Sequence, residues 1–181
     1  MNLSYNRWKK LFLFCTGLAM GTAFCMKWME SDLWVNGEKF TVIGLELFYS
    51  KEKVITILSG LDSPIKTILT YHLHFDFAFM TGIFPGIAAL SMMAREKVFS
   101  TTGKKLLFVL ASIQLLAWAG DVTENLYLLK WVEHPVIGNE FGLYHFIVAA
   151  KWIIALTGFI CSVSVLLLKR KIKMNKTHFL I

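Results

Sequence analysis

Four stretches of almost unbroken apolar residues, separated by short polar segments, dominate the pattern of this chain; they run from Leu11 to Met26, Thr67 to Met93, Leu106 to Leu129 and Leu143 to Leu168. A helix rises about 1.5 Å per residue, so roughly 20 residues cross a hydrocarbon core about 30 Å thick, and each stretch is close to or above that length. The pattern therefore predicts an all-α, integral membrane four-helix bundle forming one domain over 1–181, with spans at about 11–26, 67–93, 106–129 and 143–168.

The remaining long segment, 27–66, shows two other periods. Trp34 and Val35, then Asn36-Gly37, then Phe40, Val42 and Ile43 predict a short hairpin, because Asn-Gly accepts the positive backbone angles of a tight turn. After Ser50, a cap residue, Val54, Ile55, Leu58 and Leu61 fall on one side of a helix that Gly60 is placed to end. Such an amphipathic helix lies on the membrane surface or closes the bundle as a lid. Ser63-Pro64 marks the next helix start, and Gly82, Pro85 and Gly86 predict a kink near Phe84.

Composition supports lipid as the solvent. The 181 residues are 56% hydrophobic and 17% charged, with mean hydropathy +0.57. The net charge of +7 is concentrated in three places: Arg7, Lys9 and Lys10; Arg95, Lys97, Lys104 and Lys105; and Lys169, Arg170, Lys171, Lys173 and Lys176. Among these only Glu96 is acidic, whereas the alternate segments hold eight acids against six bases. The bias follows the positive-inside rule at each loop, which places both termini of a multi-pass membrane protein in the cytoplasm and 27–66 on the extracytoplasmic side. A basic tail in this position is a topology anchor beside anionic lipid rather than a nucleic-acid site. The first span reads as a retained helix and not a cleaved signal, since no small-x-small ending follows it. Cys15, Cys25 and Cys161 have neither metal spacing nor a paired framework and read as packing residues.

Ionisable residues inside the spans are costly, and they mark candidate sites. His72 and Asp76 are four apart and share a helix face; Gln114, Trp118, Asp121 and Asn125 share another, with Glu124 beside them; Lys151 lies on the fourth span, with Tyr144 and His145 nearer its outer end. Asp76, Asp121 and Lys151 are each about 13 Å below the same surface at the helical rise, so one pocket is expected, with His72, Glu124 and Asn125 at its mouth. Its three carboxyls outnumber its one ammonium, which calls for a bound proton, a cation or an amine-bearing ligand. The alternative is architectural: Lys151 and an aspartate form an ion pair that holds the helices in register. A metal site is disfavoured because Lys151 shares the depth of the acids. His74 and His145 read as interfacial, and Phe75, Phe77, Phe79 and Trp152 as lipid-facing packing, so no metal or cofactor is expected. No catalytic residue is assigned.

Two resemblances follow from particular runs. Leu45 to Glu52, Leu58 to Leu61, His72 to Pro85 and Gly120-Asp121-Val122-Thr123-Glu124-Asn125 resemble a group of small, uncharacterised four-span bacterial membrane proteins with an acidic second span and Asp-x-x-Glu-Asn in the third. That resemblance implies the architecture and the pocket. The chain length, long first outer loop, Asp76 followed by Phe84-Pro85, and basic tail more loosely resemble the EXPERA proteins, the sterol-isomerase and sigma-2 receptor superfamily. Sigma-2-like members carry an acid in the first span, and Leu11 to Met26 has none. Two functions are thus expected to compete. One is binding or modification of a lipid-like amphiphile, with Asp76 or Asp121 as proton acceptor or amine anchor, Lys151 countering negative charge and Asn125 orienting the ligand. The other is a non-enzymatic subunit or scaffold packed against a membrane-protein partner. Proton or cation movement is the weaker third, since the polar residues occupy one half of the spans.

Overall fold

A computed structural model describes the backbone of residues 3–178 and the side chains of residues 4–168. The basic positions from Lys169 to Lys176, read above as a topology anchor, have side chains outside the described residues.

Four helices long and apolar enough to cross a membrane form an all-α bundle: α1 (Leu3–Met29), α3 (Ser63–Arg95), α4 (Thr101–Glu133) and α5 (Glu140–His178). α3 and α4 begin ahead of their apolar runs because polar caps start them further out. Asp62 accepts a hydrogen bond from Ile65 N at 2.9 Å to start α3, one residue before the expected Ser63, with Pro64 in the first turn where no helical donor is lost. Ser100 caps α4 through Gly103 N. Pro85 sits within α3 without ending it.

α3 is the central helix: α1, α4 and α5 all pack against it, and α4 also packs against α5. The α1–α3 contact depends on small residues. A Cβ at Gly82 would lie 2.8 Å from both Ala19 N and Cys15 O, so only glycine permits this approach, and Gly86 faces Cys15 one turn further on. α1 and α5 flank α3 without an extended contact of their own. Phe14, Met20, Phe24, Leu115, Leu116, Phe146 and Ile160 project outward, an apolar surface far larger than a water-soluble monomer tolerates.

Residues 30–62 cover one end of the bundle. β1 (Trp34–Val35) pairs antiparallel with β2 (Glu38–Lys39) around Asn36 and Gly37, whose φ values of 52° and 78° suit the tight turn expected. The strands stop sooner than the alternation suggested. Thr41 Oγ1 accepts from Gly44 N at 3.0 Å and starts a helical turn that includes Val42 and Ile43, and this widens into a π-helical turn over Gly44–Phe48, closed by Tyr49 N to Gly44 O at 2.8 Å. α2 (Lys51–Ser59) is capped by Ser50 through Lys53 N and ends at Gly60, and Lys53 ties it to Glu38 of the hairpin at 2.7 Å. Its buried residues are Val54, Ile57 and Leu58; Ile55 and Leu61 lie at the margin, because the stripe that meets the bundle follows the i, i+3, i+4 set. The helix is a lid. Leu33, Phe40, Leu45, Val54 and Leu58 pack with Leu69 and Leu73 of α3, Leu128 and Trp131 of α4, and Tyr144 and Val148 of α5 in one core.

Candidate functional site

Directly beneath that apolar lid lies a polar cluster contributed by four elements. The helical period puts Asp121, Glu124 and Asn125 on the inner face of α4, His72 and Asp76 on that of α3, and Lys151 on that of α5. The wide turn at Gly44–Phe48 adds Glu46, buried between Leu45 and Leu47.

Lys151 is the hub. Its ammonium pairs with Asp121, with Glu124 Oε2 at 2.5 Å and with Glu46 Oε2 at 3.8 Å. Asn125 joins the second half of the cluster to α3: its Nδ2 donates to Asp76 Oδ2 at 2.6 Å and approaches Leu73 O at 3.4 Å. Each charged residue here is buried, so one ammonium faces an excess of carboxyls in a medium where unbalanced charge is expensive. Burial holds the Glu46 carboxyl above its ordinary range, against the opposing pull of Lys151.

The cluster forms one end of a cavity of about 330 Å³ bounded by α1, α3, α5 and the turn after the hairpin. Glu46, His72, Asp76, Asp121 and Lys151 line that end, and Lys27 and Glu30, paired with each other, stand at the rim. The remaining wall is apolar and includes Ala23 and Met26 of α1, Phe79, Ile83 and Phe84 of α3, and Trp152 and Ala155 of α5.

Asp76, Asp121 and Lys151 therefore do converge at one level. Glu124 and Asn125, expected at the pocket mouth, are instead fully enclosed at 0% exposure and stand behind the cavity wall. The reason is the lid, which packs against Leu128 and Trp131 one turn further along α4 and seals that side. His72 is at the cavity as expected, with an Nδ1 that has no hydrogen-bond partner among the described residues. His74 is exposed, its Nδ1 2.7 Å from Thr70 O, and the His145 ring lies 4.4 Å from that of Phe141 at a tilt of 57°, so neither enters the cluster. Gln114 stitches α4 to α5 through Ile154 O at 3.2 Å, below the cluster. Phe79 and Trp152, read as lipid-facing, line the cavity.

The sequence reading missed Glu46, Glu30 and Lys27 as members of the site. For Glu46 a signal existed, an acid flanked by Leu45, Leu47 and Phe48, but a lone acid in a loop is ordinarily solvated. Among the described residues, no three His, Cys, Asp or Glu side chains gather in a metal-binding arrangement. Chemically, the site offers hydrogen-bond acceptors and negative charge at one end of an otherwise apolar space, with its single buried ammonium already engaged by carboxyls. Comparison with known proteins finds no family model, no curated protein and no solved structure that matches this chain.

Proposed function

We propose that this chain is a multi-pass membrane protein of a bacterial inner membrane, with both termini in the cytoplasm and residues 27–66 outside, that binds a lipid-like amphiphile. The observation that carries the reading is the division of the cavity into a polar end built by Glu46, Asp76, Asp121 and Lys151 and an apolar wall built by α1, α3 and α5. A small-molecule site of this kind buries the ligand's apolar part and orients it with a few polar groups. The distribution of basic residues supports the orientation, and the outward apolar side chains support a lipid surround. Asp76 is the residue placed to anchor an amine or accept a proton, since one of its oxygens is held by Asn125 while the side chain lines the cavity.

A specific observation favours a second reading, in which the polar cluster is structural and the protein is a subunit packed on a partner. Lys151 is paired with acids of α4 and of the lid turn, and Asn125 bridges α3 to α4, which is what a register-fixing network does. Native mass spectrometry of the detergent-purified protein beside Asp76→Asn separates the two. The amphiphile reading expects a small lipid-like molecule retained by the wild type and lost from a variant of unchanged helicity. A ligand-free wild type that co-purifies with one membrane protein supports the subunit and overturns the binding reading.

A further inference from the structure

The apolar end of the cavity does not stop at its own wall. A second space of about 240 Å³ runs further along α3, bounded by Phe12, Thr16 and Met20 of α1, Gly82 and Gly86 of α3 and Phe159 of α5, and it shares Phe79 and Ile83 with the first. Both occupy the gap left because α1 and α5 flank α3 without packing together. From Asp76 to Gly86 the helix advances about 15 Å. A narrow apolar channel of that length leading away from a polar end has the shape of one extended hydrocarbon chain.

The polar end also restricts the head group. Its lining acids are Glu30, Glu46, Asp76 and Asp121, against Lys27 and Lys151, and Glu124 adds a further acid behind the wall. Both lysines are already paired with carboxylates. A phosphate or carboxylate head would bring more negative charge into a buried acidic cluster with no free cation among the lining side chains to meet it.

We propose that the groove between α1 and α5 is the tail site for a single-chain amphiphile whose head is uncharged or cationic, the chain lying against Phe79 and Ile83 and running toward Phe12 and Phe159. This inference rests on the amphiphile reading above and adds the path of the chain and the charge of the head.

The test uses the full chain in nanodiscs with two photoreactive probes, a long-chain monoacylglycerol and the fatty acid of the same length, each with a diazirine near the chain end. The monoacylglycerol is expected to label 12–20 and the surroundings of Phe159, with the fatty acid labelling them several-fold less. Thr16→Trp, which fills the groove from α1, and Phe159→Trp, which fills it from the opposite wall, should each reduce that labelling several-fold. Equal labelling by both probes overturns the head-group assignment. Labelling spread over outward residues such as Leu115 and Phe146, and unaffected by either tryptophan, overturns the groove. If in that case Asp76→Asn still releases the co-purified molecule, only the tail site has failed; if Asp76→Asn releases nothing, the amphiphile reading has failed with it.

Discussion

Among the described residues, Lys151 meets more carboxyls than any other basic side chain. Asp121 and Glu124 of α4 and Glu46 of the lid turn all meet its ammonium, so truncating it leaves buried carboxyls unpaired. Removing one partner of a buried ion pair typically costs about 3–5 kcal/mol, much of it from the stranded charge. Lys151→Met should therefore lower the unfolding midpoint in detergent substantially, and adding Asp121→Asn to it should recover part of the loss. A Lys151→Met protein as stable as the wild type would mean the cluster is not ionised as a network. Glu46 gives a second test at this scale. Its folded carboxyl is held above the ordinary value of about 4.5, so the folded chain binds that proton more tightly than the unfolded chain. The contribution to stability is full below the ordinary value and is lost as pH rises through the raised folded one. Glu46→Gln should flatten the fall in thermal stability on the alkaline side of that range, and an unchanged pH profile would remove Glu46 from the account.

Among the four long helices, α1 is the one with a single extended helix neighbour. It packs extensively only on α3, through Gly82 and Gly86 against Cys15 and Ala19, and the gap between it and α5 is the cavity. Because a Cβ at Gly82 would lie 2.8 Å from backbone atoms of α1, a larger residue must displace the whole helix and cannot be absorbed by a side-chain rotation. Gly82→Leu should expose Cys15, which is buried in the wild type, to a membrane-permeant maleimide when Cys25 and Cys161 are replaced by Ser. Unaltered labelling of Cys15 would show that α1 does not need this approach. The lid makes a different prediction. Ser50 caps α2, and Ser50→Ala should weaken its seating by about 0.5–2 kcal/mol, the usual cost of a lost cap. The readout is faster amide exchange over 51–59, while exchange in α4 stays as before.

For the molecule as a whole, the proposed topology of four crossings would put both ends on one side, the cytoplasmic one by the distribution of basic residues. Single cysteines placed in 36–38 and near 99–101, in a background without the native thiols, should react with an impermeant reagent from opposite faces of oriented vesicles. Reaction of both from the same face would overturn the four-crossing reading. This topology also gives the cavity its surroundings. In the proposed orientation Asp76, Asp121 and Lys151 would lie in the outer half of the bundle, and the proposed amphiphile would enter between α1 and α5 from the bilayer without crossing the lid.

Much of this was legible along the chain because it depends on local pattern. Apolar runs of span length predicted α1, α3, α4 and α5, Asn36-Gly37 predicted the hairpin turn, and Ser50 and Gly60 bounded α2. The spacing of His72 with Asp76, and of Asp121 with Asn125, already put those side chains on inward faces, since the helical period fixes direction without knowledge of neighbours. Tertiary structure decided what period cannot express. It brought Glu46 from a loop to Lys151, withdrew Glu124 and Asn125 behind the lid, turned Phe79 and Trp152 from lipid toward a cavity, and left α1 apart from α5. Each of those outcomes depends on how separate elements approach one another, and such distances come from the shapes of packed surfaces and not from the order of residues along any one of them.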